Sequence, residues 1–218
     1  MMNYERKELM KILAELVSRG LIDYIREQRT IEGWPHDHYL SDWMYQNHIE
    51  EELYINYACG ESKGVIIPDC VSWVIKFTIP TENRDMCYRE YENYVLAEEL
   101  GLSYYFAKME FLTAIGGINF YAQEMVECDE ECVDNSMSEK LGNYYDSIGQ
   151  EYEDEYSLLY EVENMSSVDR VDLLYDDAKL CQFVSDRHIN DLHSGNFGLA
   201  GDYYVIIDYS GYGNFSWE

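Results

Sequence analysis

The chain has 218 residues, 47% of them hydrophobic, with 15 basic residues against 43 acidic ones and a formal net charge of −28. That length and apolar content suit one domain of two lobes, or two very small domains, around a buried core, and they exclude a disordered chain. The charge repels nucleic-acid backbones and anionic membranes, and it favours cationic partners: a polyamine-like or aminoglycoside-like small molecule, a basic protein, or a divalent metal.

In chain order, Met10, Leu13, Leu16, Val17 and Leu21 recur at three- and four-residue spacing. They predict an amphipathic helix over 4–28, which Gly20 kinks or divides. Residues 30–48, with Trp34-Pro35 and Trp43, read as loop plus a short helix. Strand patterns follow at Leu53 to Ala58 and Gly64 to Ile67, joined by a turn-like tip from Cys59 to Lys63. Val71 to Ile79 is a third strand, stopped by Pro80. Residues 86–100 read as a helix with Gly101 as its C-cap. Two further strands, Glu110 to Ile115 and Ile118 to Val126, are split by Gly116-Gly117. Residues 127–163 are very acidic and rich in Tyr, Ser and Asn, the composition of a loosely packed insert with one or two short helices. Val171, Leu174, Tyr175, Ala178, Leu180 and Cys181 predict a helix over 168–184. Periodicity alone therefore gives an α+β protein with an antiparallel sheet.

The six cysteines (Cys59, Cys70, Cys87, Cys128, Cys132 and Cys181) are irregularly spaced, and no Cys-x-x-Cys occurs. The pattern suits reduced thiols in a cytoplasmic protein. Met1 to Arg19 carries charges throughout, unlike a signal peptide, and no apolar run approaches the length needed to span a bilayer.

The chemistry-bearing residues cluster late in the chain, in Ile189-Asn190-Asp191-Leu192-His193-Ser194-Gly195-Asn196 and Val205-Ile206-Ile207-Asp208-Tyr209-Ser210-Gly211. An acid is followed five positions later by an amide, and a second acid ends an apolar strand. Phosphoryl transfer from a nucleotide needs one carboxylate near the acceptor hydroxyl, and an amide and a second carboxylate to hold magnesium on the phosphates. Asp191, Asn196 and Asp208 supply those groups in that order. Lys76 sits inside the apolar strand Val74-Ile75-Lys76-Phe77, ahead of the 86–100 helix.

The Asp191 to Asp208 segment resembles the catalytic loop and metal-binding strand of the protein-kinase-like superfamily. Its Asp-Leu-His-x-Gly-Asn form is most similar to the aminoglycoside and choline phosphotransferase branch, where that His follows the catalytic Asp by two. The resemblance implies a kinase-like two-lobe fold: a helical extension over 1–52, an N-lobe over 53–126 with a five-stranded antiparallel sheet and one helix, and a reduced helical C-lobe over 127–218. It implies ATP and Mg2+ as cofactors. Asp191 would then be the catalytic base, Asn196 and Asp208 the metal ligands, and Lys76 the phosphate-pairing lysine. Glu90 would orient Lys76, with Glu92 as its rival. Gly60 and Gly64, in Cys59-Gly60-Glu61-Ser62-Lys63-Gly64, would cover the phosphates, with Ser62 or Lys63 offsetting the unfavourable charge of Glu61, and Tyr121 to Met125 would form the adenine-binding hinge. His193 would organise its loop rather than act as a base.

The sequence departs from the pattern in carrying two glycines in the phosphate loop where kinases use three. Ile189 stands where a His usually precedes the catalytic Asp by two. Glu218 follows soon after the metal strand, which leaves a short C-lobe. The expectation is an ATP- and magnesium-binding phosphotransferase acting on a small or cationic acceptor. The alternative is a catalytically inactive pseudokinase serving as an acidic binding or regulatory module.

Overall fold

The apolar stripe at the start of the chain folds as two helices, α1 (Asn3–Ser18) and α2 (Leu21–Gln28). Gly20 separates them with φ of +96°, a backbone conformation that interrupts the helical ladder and that glycine adopts without steric cost. The computed structural model describes residues 1–28, 38–59, 63–79, 85–152, 154–201 and 203–210. α3 (His38–Gln46) and α4 (Ile49–Leu53) follow. Leu9, Leu13, Leu16, Leu21, Ile25, Leu40, Met44 and Ile49 from the four helices are all buried in one core.

That core is completed by a five-stranded sheet of β1 (Ile55–Cys59), β2 (Lys63–Pro68), β3 (Trp73–Thr78), β4 (Met109–Ile115) and β5 (Ile118–Glu124). The strand order is β1-β2-β3-β5-β4, and each neighbouring pair is antiparallel. The protein is thus α+β with an antiparallel sheet, as its periodicity implies. β3 is central and every one of its residues is buried. Alternation then divides them between the two faces. Trp73, Ile75 and Phe77 join Ile66, Phe120 and Ala122 against the N-terminal helices. Val74, Lys76 and Thr78 point to the opposite face, where α5 (Met86–Leu100) begins.

The first turn of α5 is tied to the sheet through its cap. Asp85 Oδ1 accepts from the Tyr88 N–H at 2.9 Å and from Thr78 Oγ1 at 2.7 Å. Thr78 Oγ1 in turn accepts from the Cys87 N–H at 3.0 Å, and Asn119 donates to Asp85 Oδ2 at 2.9 Å. A capping carboxylate ordinarily satisfies helix amides alone; this one also fixes the register of α5 against β3 and β5. Gly116 and Gly117, with φ of +60° and +81°, form the tight link between β4 and β5, which needs two left-handed residues. β4 carries a bulge between Phe111 and Thr113. There Arg6 of α1 donates to the carbonyls of Phe111 and Leu112, at 3.1 and 2.8 Å.

The chain divides into two compact units, Met1–Glu92 with Lys108–Met125 and Asn93–Ala107 with Val126–Glu218, the division falling within α5. The second unit contains α6 (Glu130–Ile148), α7 (Glu155–Glu163), α8 (Ser167–Tyr175), α9 (Ala178–Asp186) and an antiparallel hairpin of β6 (Phe197–Ala200) and β7 (Tyr203–Ile206). The acidic stretch, expected as a loose insert with one or two short helices, does hold two, α6 and the nine-residue α7, but α6 runs for 19 residues. Val133, Met137 and Leu141 give α6 a buried stripe at four-residue spacing. Asp129 caps its start, and Gly149 ends it in the left-handed conformation. The single helix expected over 168–184 is two: Asp176 closes α8 with φ of +49°, and the Asp177 side chain opens α9 by accepting from the amides of Lys179 and Leu180. Phe106 packs edge-on against both Phe183 and Tyr209, at 5.6 and 5.0 Å between ring centres.

Candidate functional site

Within the first unit, Lys76 lies at the centre of a buried polar layer. Its Nζ donates to Glu90 Oε1 at 2.8 Å and to Gln123 Oε1 at 3.1 Å, while Gln123 Nε2 donates to the same Glu90 oxygen at 3.1 Å. Lys63 Nζ reaches the other oxygen, Glu90 Oε2, at 3.4 Å. None of the four residues is more than 8% exposed. The sheet register accounts for the grouping. Lys76 pairs with Val65 and Tyr121, so Lys63 and Gln123, each two residues from its partner, share its face. Of the two carboxylates weighed from the sequence, Glu90 contacts Lys76, whereas Glu92 is exposed. Cys87, one turn before Glu90, is fully buried, and burial, reinforced by the Glu90 charge, pushes its thiol up to about 12. It therefore stays a neutral thiol at physiological pH.

Gly64 is buried in β2 opposite Phe77, and a Cβ there would run into the Phe77 ring, so packing alone demands glycine at this position. Gly60 lies outside the described residues, with Glu61 and Ser62. The Tyr121 to Met125 segment runs as β5 up to Glu124, and the amides of Glu124 and Met125 donate to the carbonyls of Lys108 and Ser72.

Within the second unit, a short 3-10 turn and the β6–β7 hairpin gather the other predicted residues. Asn196 immediately precedes β6 and Asp208 follows β7. Phe197 pairs with Ile206, and the Ile207 N–H donates to Asn196 O at 3.0 Å. Antiparallel pairing thus brings the amide and the second carboxylate to the same end of one hairpin. Asn196 Nδ2 donates to the main-chain carbonyl of Asp191, which ties the turn back on itself. His193 Nδ1 accepts from the Gly195 N–H at 3.2 Å, so this imidazole caps the 3-10 turn, the loop-organising role expected of it. A Cβ at Gly195 would run into Glu130, and one at Gly198 into Val126, so both glycines answer to close packing.

The backbone after Asp191 is gripped by α8. Ser167 Oγ accepts from the Leu192 N–H at 2.9 Å, and Arg170 Nη1 donates to Leu192 O at 2.8 Å. Arg170 also donates to the carbonyls of Val162 and Glu163 at the end of α7. Asp191 and Asp208 are both half-buried, and Ser210 Oγ donates to Asp208 Oδ1 at 3.2 Å. Tyr209 is fully buried. Its hydroxyl donates to Ala107 O at 2.9 Å, and its carbonyl accepts from Asn93 Nδ2 at 2.7 Å.

Sequence reasoning weighed Lys63 only as a charge offsetting Glu61 near the phosphates, and it missed Gln123, Ser167 and Arg170. The grouping of Lys63 and Gln123 with Lys76 depends on the cross-strand register, each sitting two positions from a residue paired with Lys76, and no signal within a single strand gives it. For Arg170 the available signal was a lone guanidinium among apolar helix positions. Elsewhere in the second unit, a pocket of about 560 Å³ is lined by Asp129, Glu131, Cys132, Asn135, Glu139 and Tyr204, an acidic environment suited to cations.

Among the described residues no group of three or more His, Cys, Asp or Glu converges as a metal site. A magnesium ion that keeps phosphate and water oxygens needs only one or two protein oxygens, and the hard donors of Asn196 and Asp208 fit that demand. Among the described residues no helix is long and apolar enough to cross a membrane. Comparison of the chain with protein-family models, curated proteins and solved structures finds no match.

Proposed function

We propose that the chain is a kinase-like, two-lobed protein that binds ATP with magnesium and transfers a phosphoryl group to a small or cationic, hydroxyl-bearing acceptor. The observation that carries this reading is the buried Lys76–Glu90 pair. A lysine in the third strand, paired with a carboxylate on the helix between the third and fourth strands, is what protein kinases use to hold nucleotide phosphates. The Asp191 to Asp208 arrangement supports the same reading. Asp191 takes the proton of the acceptor hydroxyl, while Asn196 and Asp208 hold magnesium from one end of the hairpin. Magnesium, when bound, neutralises charge on the phosphates. Lys76 pairs with the phosphates as a point charge, and Glu90 keeps it aimed. Cys70, Cys87, Cys128, Cys132 and Cys181 are in no disulfide, which suits the reducing cytoplasm.

Thermal unfolding with and without Mg-ATP tests the reading. Ligand at a hundred times its dissociation constant adds about 2.7 kcal/mol of stability. Wild-type protein should show that gain, Asp208→Asn should lose it with the fold intact, and Asp191→Ala should keep it while turnover disappears. No stabilisation of the wild type by Mg-ATP would end the nucleotide reading.

A second reading rests on the acidic pocket and on the exposed Tyr144, Tyr152, Tyr156 and Tyr160 of the α6–α7 region. Here the chain is a pseudokinase whose acidic, tyrosine-bearing surface binds a basic protein or an organic cation. It is favoured if Mg-ATP binds without turnover and Asp191→Ala changes nothing.

A further inference from the structure

In a chain with 43 acidic residues and only 15 basic ones, two lysines from neighbouring strands converge on one buried carboxylate. Glu90 divides its oxygens between them, Oε1 to Lys76 at 2.8 Å and Oε2 to Lys63 at 3.4 Å. Lys63 opens β2 with 8% of its surface exposed, so its charge is presented by the fold and not by a mobile surface chain. Its alignment has a definite origin. The β2–β3 register sets Lys63 opposite Thr78, the residue that accepts from the Cys87 amide and so holds the start of α5. The same link that fixes Glu90 against Lys76 therefore fixes it against Lys63.

We infer that Lys63 is a second phosphate-binding lysine, and that Glu90 orients a pair of ammonium groups rather than one. The inference rests on the nucleotide-binding reading and names the polyphosphate as the part of the ligand that Lys63 contacts. Glu90 directs both ammonium groups, and ammonium groups bind phosphate oxygens through charge-assisted hydrogen bonds. A polyphosphate offers several anionic oxygens to two ammonium groups arranged around a common carboxylate. A single lysine on β3 would hold one region of such a chain. A second on β2 adds a contact from an adjoining strand.

Calorimetric titration of the wild-type, Lys63→Met, Lys63→Arg and Lys76→Met chains with Mg-ATP, adenosine and tripolyphosphate tests this. Lys63→Met is expected to weaken Mg-ATP and tripolyphosphate by about tenfold or more and to leave adenosine within about twofold, with Lys63→Arg close to the wild type. Unchanged Mg-ATP affinity in Lys63→Met, beside a loss in Lys76→Met, overturns the role of Lys63 and leaves the nucleotide reading standing. Equal weakening of adenosine and Mg-ATP also overturns it, because the residue would then be acting through the fold. Wild-type binding of tripolyphosphate that Lys63→Met abolishes, with no binding of Mg-ATP or adenosine, supports the anion role of Lys63 and removes the nucleotide reading. No binding of any of the three probes overturns both. Should Lys63→Met fail to fold, Lys63→Gln retains a donor toward Glu90 and serves the same comparison.

Discussion

Glu90 is the residue on which the first unit's polar layer depends. It receives Lys76, Lys63 and Gln123 while wholly removed from water. Breaking a buried ion pair from one side is costly, because the remaining charge stays desolvated. Glu90→Gln is accordingly expected to lower unfolding free energy by about 3–5 kcal/mol in urea titration. Replacing the ionic set with uncharged groups avoids that penalty, so the triple variant Lys63→Met, Lys76→Met, Glu90→Gln should be more stable than Glu90→Gln alone. The opposite ranking would mean that the lysines are stabilised independently of this carboxylate.

At the scale of the elements, α8 holds both the N–H and the C=O of Leu192 through Ser167 and Arg170, one helical turn apart. Arg170→Met leaves the Leu192, Val162 and Glu163 carbonyls without this guanidinium. It should cost about 2–3 kcal/mol, since unsatisfied buried polar groups carry their full desolvation penalty. Hydrogen exchange read by mass spectrometry should quicken in peptides covering 189–196 and stay unchanged over 63–79. Unaltered exchange around Leu192 would show that the loop is held by other means. Where local signals agreed, the sequence was readable: the span of α5 and its Gly101 cap, and the runs of β2 and β3, follow from periodicity and turn chemistry. α6 was obscured because charge dominates its composition while Val133, Met137 and Leu141 hold only one narrow stripe. The break at Asp176-Asp177 was hidden because apolar spacing runs on across it, and only cap chemistry marks the division. Leu53, read as strand, ends α4, and Tyr54 turns the chain with φ of +51°. Of the candidate site, Lys76–Glu90 was legible through the resemblance, which expects a strand lysine paired with a carboxylate on the following helix and left Glu92 as the rival. Lys63 and Gln123 were not, because their grouping needs a cross-strand register that alternation within one strand does not supply.

At the scale of the whole molecule, a net charge of −28 acts on every element at once. Self-repulsion of that size destabilises compact states, and salt screens it over a Debye length of about 10 Å at 0.1 M. Scanning calorimetry should therefore show the melting temperature rising by about 3 °C or more between ~10 mM and ~0.5 M sodium chloride. A fall would mean that attractive surface pairs such as Arg19–Glu52 and Lys11–Glu8 outweigh the general repulsion.

Arg6 has a further consequence for this protein. Among the described residues β4 ends the sheet on one side, and an edge strand is a template onto which another chain can add its own strand. By occupying the carbonyls of Phe111 and Leu112 at the bulge, the Arg6 side chain spoils that template where the backbone is most irregular. Phe111, whose side chain remains exposed, would otherwise sit on an adhesive border. A side chain from the first helix thereby occupies backbone acceptors of a strand formed more than a hundred residues later, acceptors that an added strand would need.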